Sequence, residues 1–132
     1  MNTDDTALQP LVRHIDSITF SPCVPGVDAY MRVLLGESDD MPHFFTREFE
    51  IRPGGSIPAH RHPDIEHQQL VQSGELSLQL GENWTKVRAG HCIYIPAMTI
   101  HAYKNETDHP LRFVCVVPKT TNYTTEWMEH IS

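Results

Sequence analysis

Residues 54–62 read GGSIPAHRH, a stretch that ends on two histidines separated by one residue. On a β-strand, residues i and i+2 face the same way, so the imidazoles of His60 and His62 would project from one face about 7 Å apart along the chain. Two neutral imidazoles on one face are half of a typical site for a first-row metal ion. The chain contains nine histidines, so this spacing alone is a weak signal. The segment therefore suggests a metal site, and this interpretation needs support from the surrounding sequence.

The surrounding sequence is typical of a β protein. Pro and Gly recur at short intervals, and residues 45–51 alternate between apolar and polar side chains. This rhythm predicts many short strands and turns, hence a sandwich or barrel. Residues 111–117 are apolar on nearly both faces, as expected for a strand between two sheets or at a subunit contact. Only residues 123–131 look helical, with Thr124 or Thr125 as a helix N-cap.

Length and composition restrict the class of protein. The chain has 132 residues, 39% of them hydrophobic and 20% charged, which is enough for one globular domain with one core. Its net charge of −7 argues against nucleic acids and anionic membranes as partners. No apolar run is long enough to span a membrane, the start is polar and acidic rather than signal-like, and three cysteines are widely spaced. We therefore expect a cytoplasmic protein.

The two histidines belong to a longer pattern of glycines and histidines. Gly54, His60, His62 and Gly74 resemble the first motif of the cupin superfamily, which runs Gly, five residues, His-x-His, three or four residues, Glu, six residues, Gly. The second runs Gly, five residues, Pro-x-Gly, two residues, His, three residues, Asn, and is matched by Gly90, Pro96, His101 and Asn105. Met98 stands where the family usually has Gly. Two motifs in order make the resemblance to cupins specific over about residues 30–118.

The resemblance implies an all-β fold, a small antiparallel jelly-roll barrel over about residues 27–118. Residues 1–10 would be an N-terminal arm, and residues 119–132 a short C-terminal tail or helix. In cupins the two motifs lie on neighbouring strands, so His60, His62 and His101 are expected to hold one divalent transition metal ion inside the barrel. Imidazole ligands suit Fe, Mn, Ni, Cu or Zn, and the sequence does not choose among them.

The fourth ligand is where this sequence departs from the cupin pattern. Matching backwards from Gly74 puts Gln68 where the family has its ligand glutamate, whereas counting forward from His62 gives Glu66 or His67. Strand parity places Glu66 and Gln68 on one face and His67 on the other. We expect Gln68 to be the fourth ligand, with Glu66 and then His67 as alternatives. A neutral ligand would leave the ion a stronger Lewis acid than a carboxylate would.

Three further residues have candidate roles beside the metal. Arg47 lies on the apolar face of its strand, so it is either paired with Glu66 or Glu75, turned outward to solvent, or a clamp for a substrate carboxylate or enolate. Tyr103 shares the face of His101 and is either a core residue or a hydrogen-bond donor to substrate. If Glu66 is not a ligand, it is our candidate catalytic proton shuttle.

The resemblance favours a metal-dependent enzyme that acts on a small oxygen-rich molecule such as a carboxylate, diketone, enol or phenol. A dioxygenase-type oxidoreductase is the first expectation. The alternatives are an isomerase or lyase that uses a redox-silent metal, and a non-catalytic cupin that binds a small ligand or metal. A homodimer is also expected by resemblance, formed through an N-terminal strand, for which the apolar residues 27–35 would serve.

Overall fold

The computed structural model describes residues 8–120 and 123–128, which form ten strands and two short 3-10 helices. The strands are β1 (Ser21–Pro22), β2 (Val27–Leu35), β3 (Phe44–Arg61), β4 (His67–Ser73), β5 (Glu75–Leu80), β6 (Asn83–Arg88), β7 (Cys92–Ile95), β8 (His101–Lys104), β9 (Leu111–Pro118) and β10 (Glu126–Trp127). The 3-10 helices are Ile15–Ser17 and Glu37–Asp39. No helix in the described part of the chain is long and apolar enough to cross a membrane. The expected all-β class is confirmed.

The strands form one antiparallel sheet that curls into a jelly-roll barrel, in the order β6-β5-β8-β3-β9-β4-β7. The long strand β3 holds it together. Its first half, residues 44–51, pairs with β9 and β2, whereas its second half pairs with β8 and β10. The chain bends between the halves, where Gly54 has a φ of +79° that side-chain-bearing residues rarely adopt. One strand therefore contributes residues to both sides of the barrel.

Alternation along the strands separates the interior from the outer surface. Every second residue of β9 is buried, from Leu111 to Val117, and the residues between them are half-buried. The interior is filled by aliphatic side chains and by a stack in which the Phe113 ring lies 5.1 Å from Tyr103 and 5.0 Å from Phe49. Burial of this apolar surface is the main stabilising term of such a fold. The barrel is thus packed at one end, and its polar interior residues lie toward the other.

The C-terminal segment differs from the sequence-based expectation. The helix expected at residues 123–131 is not formed over its described part: Glu126–Trp127 is a strand that pairs with β3, and residues 129–131 lie outside the described residues. A tertiary contact overrides the local helical pattern here. Most of the expected N-terminal arm also lies outside the described residues. The apolar segment Val27–Leu35 forms β2, which pairs with β3 and, at Tyr30 and Met31, with β1.

Candidate metal centre

Three of the predicted ligands meet inside the barrel. His60, at the end of β3, lies directly opposite His101 of β8, and their ring centroids are 4.2 Å apart. The ring of His62 lies 5.1 Å from that of His60 and 5.7 Å from that of His101. One potential ligand atom from each residue falls within 4.8 Å of the others. These three histidines, of which His101 lies about forty residues after the other two, therefore form a cluster that can hold a metal ion.

Backbone carbonyls fix the orientation of two of these rings. The Nδ1 of His60 lies 2.7 Å from the carbonyl oxygen of Pro58, and the Nδ1 of His101 lies 2.9 Å from that of Thr99. A carbonyl can only accept a hydrogen bond, so Nδ1 carries the proton and Nε2 keeps a free lone pair. This arrangement of the second ring nitrogen is typical of metal-binding histidines.

A fourth imidazole lies beside the cluster. The ring of His67, on β4, is 5.1 Å from that of His62 and 5.3 Å from that of His101. It is buried, and its Nδ1 has no hydrogen-bond partner among the described residues. Burial of an unpaired polar atom is costly, which makes this ring a candidate fourth donor beside the three histidines whose ligand atoms lie within 4.8 Å of one another. The donor set therefore fits a divalent first-row ion that prefers imidazole ligands.

The structure does not bring Gln68 or Glu66 to the histidines. Both are exposed on the outer face of the barrel, where the Glu66 carboxylate accepts a hydrogen bond of 2.7 Å from the Tyr94 hydroxyl. Parity separated the two sets correctly, but the inward-facing set is the one that contains His67. A signal for this was present, since Ile65 and Val71 share the parity of His67 and are buried apolar residues. His67 thus replaces Gln68 as the candidate fourth ligand, and Glu66 is not positioned to move a proton at the cluster.

The comparison with known families agrees with this arrangement. The model of the cupin domain matches residues 47–117, more than half of the chain. The chain belongs to the cupin family. The match includes all four clustered histidines.

Solved structures show the same barrel. The polyketide cyclase RemF from Streptomyces resistomycificus is 24% identical, with a TM-score of 0.84 over 91% of this chain and 86% of that chain. A sugar phosphate isomerase from Silicibacter pomeroyi is 23% identical, with a TM-score of 0.75 over 88% and 80%. A predicted oxalate decarboxylase from Thermotoga maritima is 19% identical, with a TM-score of 0.74 over 83% and 100%. At these identities the similarity establishes the fold and assigns no activity.

Arg47 of this cupin lies toward the interior and has no carboxylate partner in the described part of the chain. Its guanidinium carbon is 5.3 Å from the centroid of the Phe49 ring, and its Nη2 is 3.8 Å from the sulfur of Cys115. Its Nε is buried without a hydrogen-bond partner among the described residues. Neither expected ion pair is formed there: Glu66 is bonded to Tyr94, and Glu75 lies 3.9 Å from Lys86. A half-buried cation without a counter-ion is a suitable anchor for an anionic ligand.

Tyr103 is fully buried between the histidines and the apolar end of the barrel. Its ring lies 5.7 Å from that of His101, and its hydroxyl accepts a hydrogen bond of 2.7 Å from the side-chain amide of Gln69. Burial raises the pKa of Tyr103, so the phenol keeps its proton. The other amide atom of Gln69, its Oε1, is buried without a partner among the described residues. Sequence reasoning overlooked Gln69, although it shares the parity of His67.

The environment keeps the imidazoles neutral. Burial lowers the pKa of His60 to about 4, that of His101 to about 3 and that of His67 to about 2, with neighbouring imidazoles adding to the effect. Arg47 also lowers the pKa of His60 and His67, because its positive charge opposes a second one nearby. Metal binding requires neutral imidazole, so the site is in its ligand form at neutral pH.

Proposed function

We propose that this cupin is an enzyme that binds one divalent transition metal ion at His60, His62, His67 and His101 and acts on a small oxygen-rich organic molecule. The observation that carries the proposal is the convergence of four buried or half-buried imidazoles inside the barrel, one of which has an unpartnered Nδ1. Burying such a group of polar rings without a shared partner would be costly.

The donor set favours a redox-neutral reaction. A metal ion bound there would supply Lewis-acid chemistry, polarising a carbonyl or enol oxygen of the substrate. All four ligands are neutral, so no ligand carboxylate offsets the charge of the ion. Neutral ligands also raise the redox potential, which disfavours the oxidised states that oxygen chemistry requires. We therefore favour isomerisation, dehydration or ring closure of a polycarbonyl, enolic or phenolic compound over the dioxygenase reaction expected from sequence.

Residues next to the histidines would bind and orient such a substrate. Arg47 would hold a carboxylate or enolate through its guanidinium, whose Nε lacks a partner among the described residues. Tyr103 accepts from Gln69 and keeps its own proton to donate to a substrate oxygen. Donors aimed at an oxygen that gains negative charge would lower the barrier to enolisation.

Similar folds add support of a general kind. RemF, which aligns over 91% of this chain, is described as a polyketide cyclase, and the S. pomeroyi protein as a sugar phosphate isomerase. Ring closure and isomerisation rearrange bonds without consuming O₂. These names therefore agree with the reaction class that the neutral donor set favours.

Turnover with and without oxygen tests the proposal. The chain would be loaded with Zn(II) or Fe(II) and assayed on a panel of linear polycarbonyl compounds, diketones and phenols under air and under argon. We expect turnover by the Zn(II) form under argon, and a loss of about 100-fold in kcat/KM in Arg47→Gln, equivalent to one charged hydrogen-bonded contact. The exposed variant Arg88→Gln on β6 is the matched control.

Two results would overturn it. Turnover that requires both Fe(II) and O₂ would establish the dioxygenase reading. Binding of panel compounds that persists after the metal is removed, without turnover by any form, would establish a non-catalytic binding module.

We also propose that the protein is a homodimer that pairs through the outer face of β4, β7 and β9. There Leu70 and Tyr94 are 42% and 57% exposed, beside Cys92, Val114 and Val116. This groove contains no acidic or basic side chain, so it adds little repulsion between two copies that each carry −7, and the Glu66 carboxylate at its edge is bonded to Tyr94. Light scattering should give a dimer for the wild type and a monomer for Leu70→Glu, with Trp84→Glu on β6 unchanged. A monomeric wild type would contradict the proposal.

A further inference from the structure

The C-terminal segment pairs with the end of β3, which carries His60 and is followed directly by His62. Residues 124–128, which we call the C-terminal strap, contain β10, in which Trp127 pairs with His60 and Glu126 with Arg61. The backbone N–H of Met128 donates to the carbonyl of Ala59 at 2.9 Å, and Arg61 Nε donates to Glu126 Oε1 at 2.6 Å. The strap is therefore held to β3 by backbone pairing and by an ion pair.

The strap supplies the partner of His62. The Nδ1 of this ring lies 3.3 Å from the carbonyl oxygen of Thr124 and 3.2 Å from the hydroxyl of Thr125. Both oxygens can accept a hydrogen bond from the Nδ1–H group, and the carbonyl oxygen, unlike the hydroxyl, can only accept. The contact therefore favours the tautomer with the proton on Nδ1, which leaves Nε2 of His62 free to face the cluster.

Trp127 forms a wall of the same site. Its ring centroid is 4.7 Å from that of His60, and the two planes are tilted by 41°. The indole is half-buried and packs against the ring of His60. Packing that locks the rotamer of a ligand preorganises a metal site.

We propose that the C-terminal strap is a positioning element of the metal centre, which fixes the tautomer and orientation of His62 and completes the wall around His60. His60 and His101 receive their carbonyl partners from residues two positions earlier on the chain, whereas His62 depends on a segment 62 residues away. The strap also lies beyond the cupin match, which ends at residue 117. Its effect on metal binding rests on the proposed function, whereas its effect on the His62 tautomer does not.

The tautomer can be measured in the metal-free protein. Long-range ¹H–¹⁵N spectra of the imidazoles would be recorded for the full chain and for a chain that ends at Thr120. We expect His62 to carry its proton on Nδ1 in the full chain and to shift toward the Nε2–H form without the strap, while His60 and His101 keep the Nδ1–H form. The same His62 tautomer in both chains would overturn the proposal, even if the full chain binds no metal.

Metal binding gives the second measurement. Zn(II) affinity by chelator competition, and the ligand-field spectrum of the Co(II) form, would be compared among the full chain, the shortened chain and Trp127→Ala. We expect a 10- to 100-fold loss of affinity in the shortened chain, the size seen when the partner of a ligating histidine is removed, with a changed Co(II) spectrum. Trp127→Ala should lose less, and Trp84→Ala, which removes an exposed tryptophan on β6 that makes no contact with the histidine rings among the described residues, should lose nothing.

The outcomes separate the two proposals. If the full chain binds neither Zn(II) nor Co(II), the proposed function is wrong, and the tautomer measurement still decides the proposal for the strap. If the full chain binds metal and shortening changes neither the affinity nor the spectrum, the proposal for the strap is wrong and the proposed metal centre stands. If the shortened chain does not fold, the full-length double variant Trp127→Ala with Met128→Pro reports the same two quantities, because it removes the ring contact of the strap with His60 and its backbone donor to Ala59. Wild-type values in that variant would then overturn the proposal.

Discussion

The two faces of β4 have opposite roles although their residues alternate within one heptapeptide. The inner face carries His67, Gln69 and Val71, which are 3%, 5% and 1% exposed. The outer face carries Gln68, Leu70 and Gln72, all of them exposed. The inner face holds an imidazole nitrogen without a partner among the described residues and an amide bonded to Tyr103, whereas the outer face lines a shallow apolar groove.

This difference shows that the burial of a polar side chain identifies a candidate ligand better than its residue type does. Gln68 and Glu66 are acceptable metal ligands by type, and both match a family spacing. Each lies on the face where water can satisfy it, so neither needs a metal ion. His67 lies where nothing in the described structure satisfies its Nδ1, and that cost is the reason to assign it to the site.

The largest difference that we expect between substitutions on the two faces of β4 is in metal affinity. His67→Ala should weaken Zn(II) binding by about 100-fold or more, whereas Gln68→Ala should bind as the wild type does. The paired exchange of His67→Gln with Gln68→His keeps the composition and should bind as weakly as His67→Ala. Calorimetry or chelator competition measures all four proteins. Weak binding by Gln68→Ala together with tight binding by His67→Ala would restore the sequence-based assignment.

Substitutions on the inner and outer faces of β4 should also differ in their effect on the free energy of unfolding. Val71→Ala removes two methyl groups from the core and should lower the free energy of unfolding by about 2 kcal/mol. Leu70→Ala, one residue away on the outer face, should cost less than half as much. Chemical denaturation of the metal-free protein measures both. Equal losses would mean that the outer face is covered in solution, which would itself support the homodimer.

Acid should destabilise the metal-free protein through its inner histidines. Burial lowers the folded-state pKa of His67 to about 2 and of His60 to about 4, so the unfolded chain, with pKa near 6.5, binds protons first as the pH falls. The stabilisation is complete above about pH 6.5 and is lost as the pH drops toward about 4 for His60 and toward about 2 for His67, with a slope of up to about 1.4 kcal/mol per pH unit for each histidine.

Substitutions on the two faces should alter this slope differently. His67→Gln should reduce it, whereas Gln68→His, which adds an exposed imidazole, should leave it unchanged. Denaturation at several pH values measures the slopes, and an unchanged slope in His67→Gln would show that His67 is not buried as a neutral group.

The smallest effect should come from Glu66. Its carboxylate accepts a hydrogen bond from the exposed Tyr94 and thereby raises the pKa of that phenol. Glu66→Gln should lower the pKa of Tyr94 toward its ordinary value, as followed by ultraviolet absorbance, and should leave kcat and metal affinity within twofold of the wild type. A large loss of kcat with unchanged metal affinity would return Glu66 to the role of proton shuttle.

The amino-acid sequence by itself determined the fold class and the three histidines that form the candidate metal cluster. Alternating strands and frequent turns specify a β-barrel, and two motifs with fixed spacing identify His60, His62 and His101. These features are local, because strand parity and turn chemistry depend on residues close together in the chain. The sequence also divided residues 66–70 into two faces, since parity needs no knowledge of the partner strands.

Only the tertiary structure decided which face of β4 is inside and what the C-terminal segment does. The first depends on the pairing of β4 with β7 and β9, which turns His67 toward the histidines and Gln68 away. The second depends on β3, whose exposed edge draws Glu126–Trp127 into a strand although the local pattern favours a helix. Both outcomes are set by contacts between residues far apart in the chain, and a one-residue change of register would reverse the first.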